Sequence, residues 1–275
     1  MILEALSFPF FQMALMAGLL ASLACGVMGT YVVVRRMTSL AGGLAHAAFG
    51  GVGLGYLLGF DPIFGAALFA LAAGAGIRIL YRKFHHGTDT LVSMFWSVGM
   101  ALGLIFASLR QGYTPDLMSY LFGSILFVSE RDLIFLASLD FVIVVSVVSL
   151  FRELQAVTFD EEFSQLVGLP VEALSHYLMA LIGLAVVVLI QVVGVILSIA
   201  LLSIPAATAR HWTEDLTPTM VLATALGGFS VTVGLFFSYW ASSALGLEVP
   251  TGPSIILVAA FLYLISSLVT KKGFR

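Results

Sequence analysis

Charge is what this 275-residue chain has least of. Its 12 Lys and Arg and 15 Asp and Glu make up 10% of the residues, against roughly a quarter in a soluble domain. So few charges cannot clothe a water-facing surface of that size, which excludes a soluble globular enzyme. The net charge of −3 comes with no basic run, so nucleic-acid binding has no electrostatic basis. A single cysteine, Cys25, rules out an internal disulfide, and with no CxxC there is no cysteine-rich metal or redox motif. No Lys or Arg precedes Arg35, so the start MILEALSFPF does not read as a cleaved signal peptide, which begins positive. The phosphate-cradling GxxxxGKS/T, the zinc-protease HExxH and the GxSxG nucleophile turn are all missing. The chain therefore carries no ATPase of its own and no catalytic set. No inverted repeat is visible, which weakens a repeat-built secondary carrier.

Apolar residues fill the space: 60% of the chain is hydrophobic and the mean hydropathy is +1.10. A helix needs roughly 20 apolar residues to cross a hydrocarbon core about 30 Å thick. The expected fold is all-α, a polytopic membrane protein of about 8–9 transmembrane helices forming one domain over 1–275. The apolar runs place spans at 10–34, 41–59, 62–81, 90–109, 132–151, 175–192, 193–209, 217–241 and 252–270. The broken apolar stretch 113–130 reads as a short helix at one surface. Residues 175–209 are too many for one untilted span, and Gly194 is the plausible break. Basic residues collect on the cytoplasmic side. Nine crossings with the N-terminus outside and the C-terminus inside put ten basic residues in and only Arg110 and Arg131 out; fusing 175–209 gives six against six. In that layout 152–174 and 210–216 are cytoplasmic, and Asp61, Asp116, Glu130, Asp132 and Glu248 lie outside. An acidic mouth focuses cations, although carboxylates are also what remains when basic residues go inside.

Four features carry chemistry. Gly42, His46 and Gly50 follow one another at i, i+4 on one helix face, with Gly43, Ala47 and Gly51 beside them. Small residues allow close helix approach or leave room for passage. His46 in their midst is either a metal ligand or an imidazole bonded to a helix carbonyl. Asp140 is the one acidic residue well inside a span and lines a polar path or makes a structural contact. Pro205 should kink or end its helix. The polar stretch after it, with Arg210, His211, Trp212, Glu214 and Asp215, reads as a compact helix for partner docking or as an interfacial turn with Trp212 among headgroups. Glu248 precedes a Pro-Thr-Gly-Pro turn at the outer side.

The pieces RRMTSLAGGLAHAAFGGVGLGY (35–56), DLMSYLFGSILFVS (116–129), TFDEEFSQLVGLPV (158–171), VGVILSIALLSIPAATAR (193–210) and EVPTGPSIIL (248–257), in that order, resemble the permease subunit of the zinc, manganese and iron ATP-binding cassette transporters across nearly the whole chain. Two of them also resemble the vitamin B12 and siderophore permeases, which implies that fold. The resemblance implies a prokaryotic cell-membrane protein working as a homodimer with the substrate path on its twofold axis. Two cytoplasmic ATP-binding subunits would dock on 205–218 and use the ATP, and an extracytoplasmic solute-binding protein would deliver the divalent metal. Many zinc and manganese members carry an Asp four residues before the histidine matching His46; here that position is Gly42. A metal site at His46 would then need oxygen from elsewhere, with Asp116 and Glu248 as candidates and zinc as the first cation. Gly42, Gly43, Gly50 and Asp140 are the expected path residues. The competing expectation is an ion-coupled secondary carrier with Asp140 and His46 as a proton relay.

Overall fold

The computed structural model describes residues 2–84, 88–109 and 125–270. Its helices are α1 (Ile2–Ala5), α2 (Pro9–Val34), α3 (Thr38–Leu58), α4 (Pro62–Phe84), α5 (Thr88–Leu109), α6 (Glu130–Ser149), α7 (Phe151–Phe159), α8 (Glu161–Leu166), α9 (Val171–Val193), α10 (Val195–Arg210), α11 (Leu216–Leu245) and α12 (Thr251–Thr270). Among the described residues there is no strand. Without water in the bilayer core, the backbone must satisfy its own hydrogen bonds, and helices do so within one segment. Eight of these helices are long and apolar enough to cross a membrane.

A helix stands at each of the nine expected spans, with ends shifted by a few residues, but the one at 193–209, α10, is shorter than the eight that are long enough to cross. Local chemistry sets some of those ends. Pro9 occupies the first turn of α2, where its missing N–H costs nothing. Ser129 and Asp132 form a reciprocal capping box at the start of α6. Asp160 accepts from the Phe163 N–H at 2.8 Å to open α8. The expected surface helix 113–130 lies mostly outside the described residues; its end, Ile125–Phe127, is a single 3₁₀ turn.

The 175–209 stretch does divide at Gly194, whose φ of 82° and ψ of 168° belong to a region essentially reserved for glycine. The chain reverses there. At one end of α9, the Ser175 hydroxyl donates to Glu161, which also pairs with Arg35. At the other, Gln191 Nε2 donates to Asp132 Oδ1 at 3.0 Å. α10 then returns, and Ser203, Ile204 and Ala207 line a cavity with Val33, Arg36 and Tyr263 at the Arg35 end. With 16 residues, α10 reaches about 24 Å.

Two expectations about this region are corrected. Of the kink or end expected at Pro205, the end is not found: Pro205 sits buried inside α10, which continues to Arg210. Residues 211–215 are a turn rather than a compact helix, and Pro218 falls in the first turn of α11. A proline at that depth is tolerated where neighbouring helices pack over the freed carbonyl.

α2 is the central post, packed against α6, α9, α10 and α11. Its small residues permit this. A Cβ on Gly26 would stand 2.6 Å from the Thr224 nitrogen of α11, and one on Gly29 would overlap the Leu202 carbonyl of α10. Gly183 on α9 has nothing within 4 Å of such an atom. Gly29→Val should therefore lower stability by about 1–3 kcal/mol through overpacking, seen as a lower unfolding temperature in detergent, while Gly183→Ala should leave it unchanged or slightly higher.

Candidate functional site

In lipid, helix association depends on close packing of small residues rather than on burying apolar area. α3 shows this along its length. A Cβ on Gly51 would overlap the Gly65 carbonyl of α4, and one on Gly53 would overlap the Gly103 carbonyl of α5. A Cβ on Gly50 would stand 2.7 Å from Phe69 and 2.9 Å from the Gly99 oxygen, and Val92 fills the space beside Gly43. In this structure the room at Gly43 and Gly50 is taken up by α4 and α5. Gly42 differs, because a Cβ there would meet only Ile199 of α10, at 3.9 Å.

From Leu40 to Gly53 every residue of α3 is buried except His46. Its ring stacks on Trp96 of α5, centroids 4.0 Å apart and planes at 22°. Its Nδ1 lies 2.8 Å from the carbonyl oxygen of Gly42, one turn back on its own helix. A carbonyl can only accept, so Nδ1 carries the proton and Nε2 the lone pair. A backbone carbonyl fixing the tautomer in this way is how metal-binding imidazoles are commonly oriented. Nε2 has no hydrogen-bond partner among the described residues.

The other expected site residues are dispersed. Asp116 lies outside the described residues. Glu248 is exposed in the α11–α12 connection and lines a cavity of about 500 Å³ with Phe10, Tyr239 and Pro250, at the end away from Arg35. Asp140 is 4% exposed and lies in the α2–α6 contact, beside the Ala24 backbone of α2. Among the described residues no group of three or more His, Cys, Asp and Glu could hold a metal.

The polar turn 211–215 is tied to α12. His211 Nδ1 lies 2.9 Å from Ser266 Oγ, and Trp212 Nε1 donates to the same oxygen at 2.7 Å. Arg210 closes the turn by donating to the Glu214 carbonyl. Trp212 remains 56% exposed, and Glu214 and Asp215 are exposed beside it.

Two features escaped the sequence reading. Ser39 donates to Asp89 Oδ1 at 2.8 Å, and Asp89, Ser93 and Ser97 follow at i, i+4, i+8 along α5, so a polar stripe runs from the His46–Trp96 level toward the Arg35 end. Four-residue spacing of polar groups in an apolar span was the available signal. The second is α8, which exposes Phe163 and Leu166, the latter at 86%. It is moored by Glu161 to Arg35 at the end of α2; burial pulls the Arg35 guanidinium below its ordinary range, and the Glu161 charge opposes that.

Gly42→Asp should fold normally, since its Cβ meets open space, and should place a carboxylate one turn from the imidazole. Gly43→Asp should misfold against Val92. Titration calorimetry with Mn²⁺ and Zn²⁺ on the detergent-solubilised protein should find tighter binding in Gly42→Asp than in wild type; equal affinities would separate position 42 from the cation.

The chain matches the family described as the ABC 3 transport family over residues 7–270. It is 43% identical over 263 residues to the uncharacterized membrane protein slr2045 of Synechocystis, covering 96% of this chain and 92% of that one. It is 35% identical over 259 residues to the manganese transport system membrane protein MntC of Listeria monocytogenes, covering 94% and 92%. Its fold superposes on a chain of the Streptococcus pneumoniae PsaBC complex with Fab at a TM-score of 0.87, with 31% identity over 99% of this chain and 98% of that one. With the match extending across all of its membrane helices, the chain belongs to the ABC 3 transport family.

Proposed function

We propose that this chain is the membrane-spanning permease of an ATP-binding cassette importer for divalent transition-metal ions, with zinc as the first candidate and manganese or iron as the others. The observation that carries the reading is His46: one incompletely buried residue in a closely packed helix, presenting a neutral Nε2 lone pair. Neutral imidazole is the commonest metal ligand of its kind. An imidazole without a carboxylate cluster suits Zn²⁺ better than Mn²⁺, while the name of the Listeria relative speaks for manganese. Asp116 and Glu248 would attract the cation at the outer mouth, and Gly42 would leave it space beside His46. Gly43 and Gly50 would shape the path by drawing α4 and α5 close. Asp140 serves better as a polar contact between α2 and α6 than as part of a relay, since it lies where α6 packs on α2 while His46 stacks on Trp96 between α3 and α5. That division of faces leaves the ion-coupled carrier with less support.

The chain would act as a homodimer with the path on the twofold axis, fed by an extracytoplasmic solute-binding protein. Two cytoplasmic subunits would bind and hydrolyse the ATP. The exposed Trp212, Glu214 and Asp215, held by Arg210 and His211, are the proposed docking turn; the exposed apolar tip of α8 offers a second contact at the same end. Buried Pro205 would contribute by shaping α10. Nucleotide binding below would shift the population between outward and inward states.

Three outcomes test this. In proteoliposomes holding the chain with its ATPase subunits, Zn²⁺ uptake should require ATP, and His46→Ala should cut it at least tenfold with assembly intact. Uptake by the chain alone under a pH gradient would overturn the reading. Trp212→Ala with Glu214→Ala should let ATP hydrolysis proceed without matching uptake; normal coupling would remove the turn from the interface. Single thiols at Trp212 and Glu248, in a background lacking Cys25, should label from opposite sides of the membrane, Trp212→Cys from the cytoplasm.

A further inference from the structure

Trp96 does not behave as a packing residue. It is 40% exposed on the isolated chain, yet three contacts fix it. One face lies on the His46 ring at 4.0 Å. Its Nε1–H points to Met100 Sδ at 3.2 Å, one turn along α5. Its backbone is drawn in because neighbouring Gly99 abuts Ala47 of α3: a Cβ on Gly99 would stand 2.5 Å from the Ala47 Cα. A tryptophan selected for burial would be covered, and one selected for the headgroup belt would sit at a helix end. Trp96 sits eight residues into a 22-residue helix, level with the middle of α3.

His46 has two torsions to fix. The Gly42 carbonyl sets the tautomer but leaves the ring free to swing about that one bond. A flat partner almost parallel to the imidazole removes the swing and keeps its edge, hence Nε2, pointing along the indole surface. Aromatic pairing of this kind contributes about 0.5–1.5 kcal/mol beyond area burial. A donor held in one orientation loses less freedom when it meets a cation. The site lacks the carboxylate that an Asp at position 42 would supply, so it depends wholly on how well its one imidazole is aimed.

We propose that Trp96 is a positioning residue for the transported cation: it acts through His46, holding the imidazole so that Nε2 faces the path, with Met100 keeping the indole in place. This rests on the permease reading above. A face without an N–H suffices for the stack, so Trp96→Phe retains function, whereas Trp96→Leu, of similar apolarity but without a flat face, does not.

The test is a double-mutant cycle on the complex with its ATPase subunits in proteoliposomes, following Zn²⁺ and Mn²⁺ uptake as kcat and KM. Trp96→Leu should raise KM about fivefold or more, Trp96→Phe should stay within twofold of wild type, and Trp96→Leu added to His46→Ala should cause no further loss. Residues that act as a unit are non-additive in this way. Losses that multiply, or a Trp96→Phe variant as impaired as Trp96→Leu, would overturn the proposal and leave Trp96 with a packing role. Unfolding temperatures of the variants separate folding failure from misaiming, and Trp96→Tyr provides a second aromatic rescue if Trp96→Phe is unstable. Failure of the permease reading would look different, since the wild-type complex itself would then move neither cation.

Discussion

The contact of α3 with α4 and α5, backbone against backbone through Gly51 and Gly65 and through Gly53 and Gly103, is the constraint on which the rest turns. It encloses a helix so completely that a single side chain in its middle stays open. Were those glycines alanines, α3 would stand off from its neighbours, and the imidazole would gain company from water and lipid on several sides. Dispersion packing of small residues thus does two jobs: it holds the bundle together where no hydrophobic driving force acts between helices, and it defines one narrow window of polar chemistry.

Much of this was legible in the sequence. The spans were visible because hydrocarbon imposes a minimum apolar length, and the reversal at Gly194 was visible because six basic residues on each side would violate charge asymmetry. His46 stood out as a polar group among small ones. What was hidden is physically of another kind. Whether a glycine makes room for a neighbouring helix depends on what comes opposite it, and Gly42 and Gly43, adjacent in the chain, differ: Val92 crowds Gly43, whereas Gly42 has only Ile199 near it. Trp96 is 50 positions away from His46, and no local periodicity links the two. The helix continues past Pro205 because, inside a bundle, neighbours can cover the broken rung, so that of the two outcomes open to an interior proline the end of the helix is not the one found.

The arrangement also separates two polar groups that the sequence invited one to join. Asp140 belongs to the α2–α6 seam and His46 to the α3–α5 window. A carboxylic side chain only 4% exposed is a costly resident of a membrane interior, and it sits on α6 where that helix packs against α2, the central post.

Ser266 gives the 211–215 turn an unexpected anchor. One hydroxyl meets both the imidazole of His211 and the indole N–H of Trp212, so the turn between α10 and α11 is pinned sideways to α12 as well as to the two helices it joins. A force applied to that indole would be shared with α12 through Ser266. α12 is also the least enclosed of the eight long apolar helices, so under the proposed docking a stroke at this turn would reach a helix the rest of the chain holds only loosely.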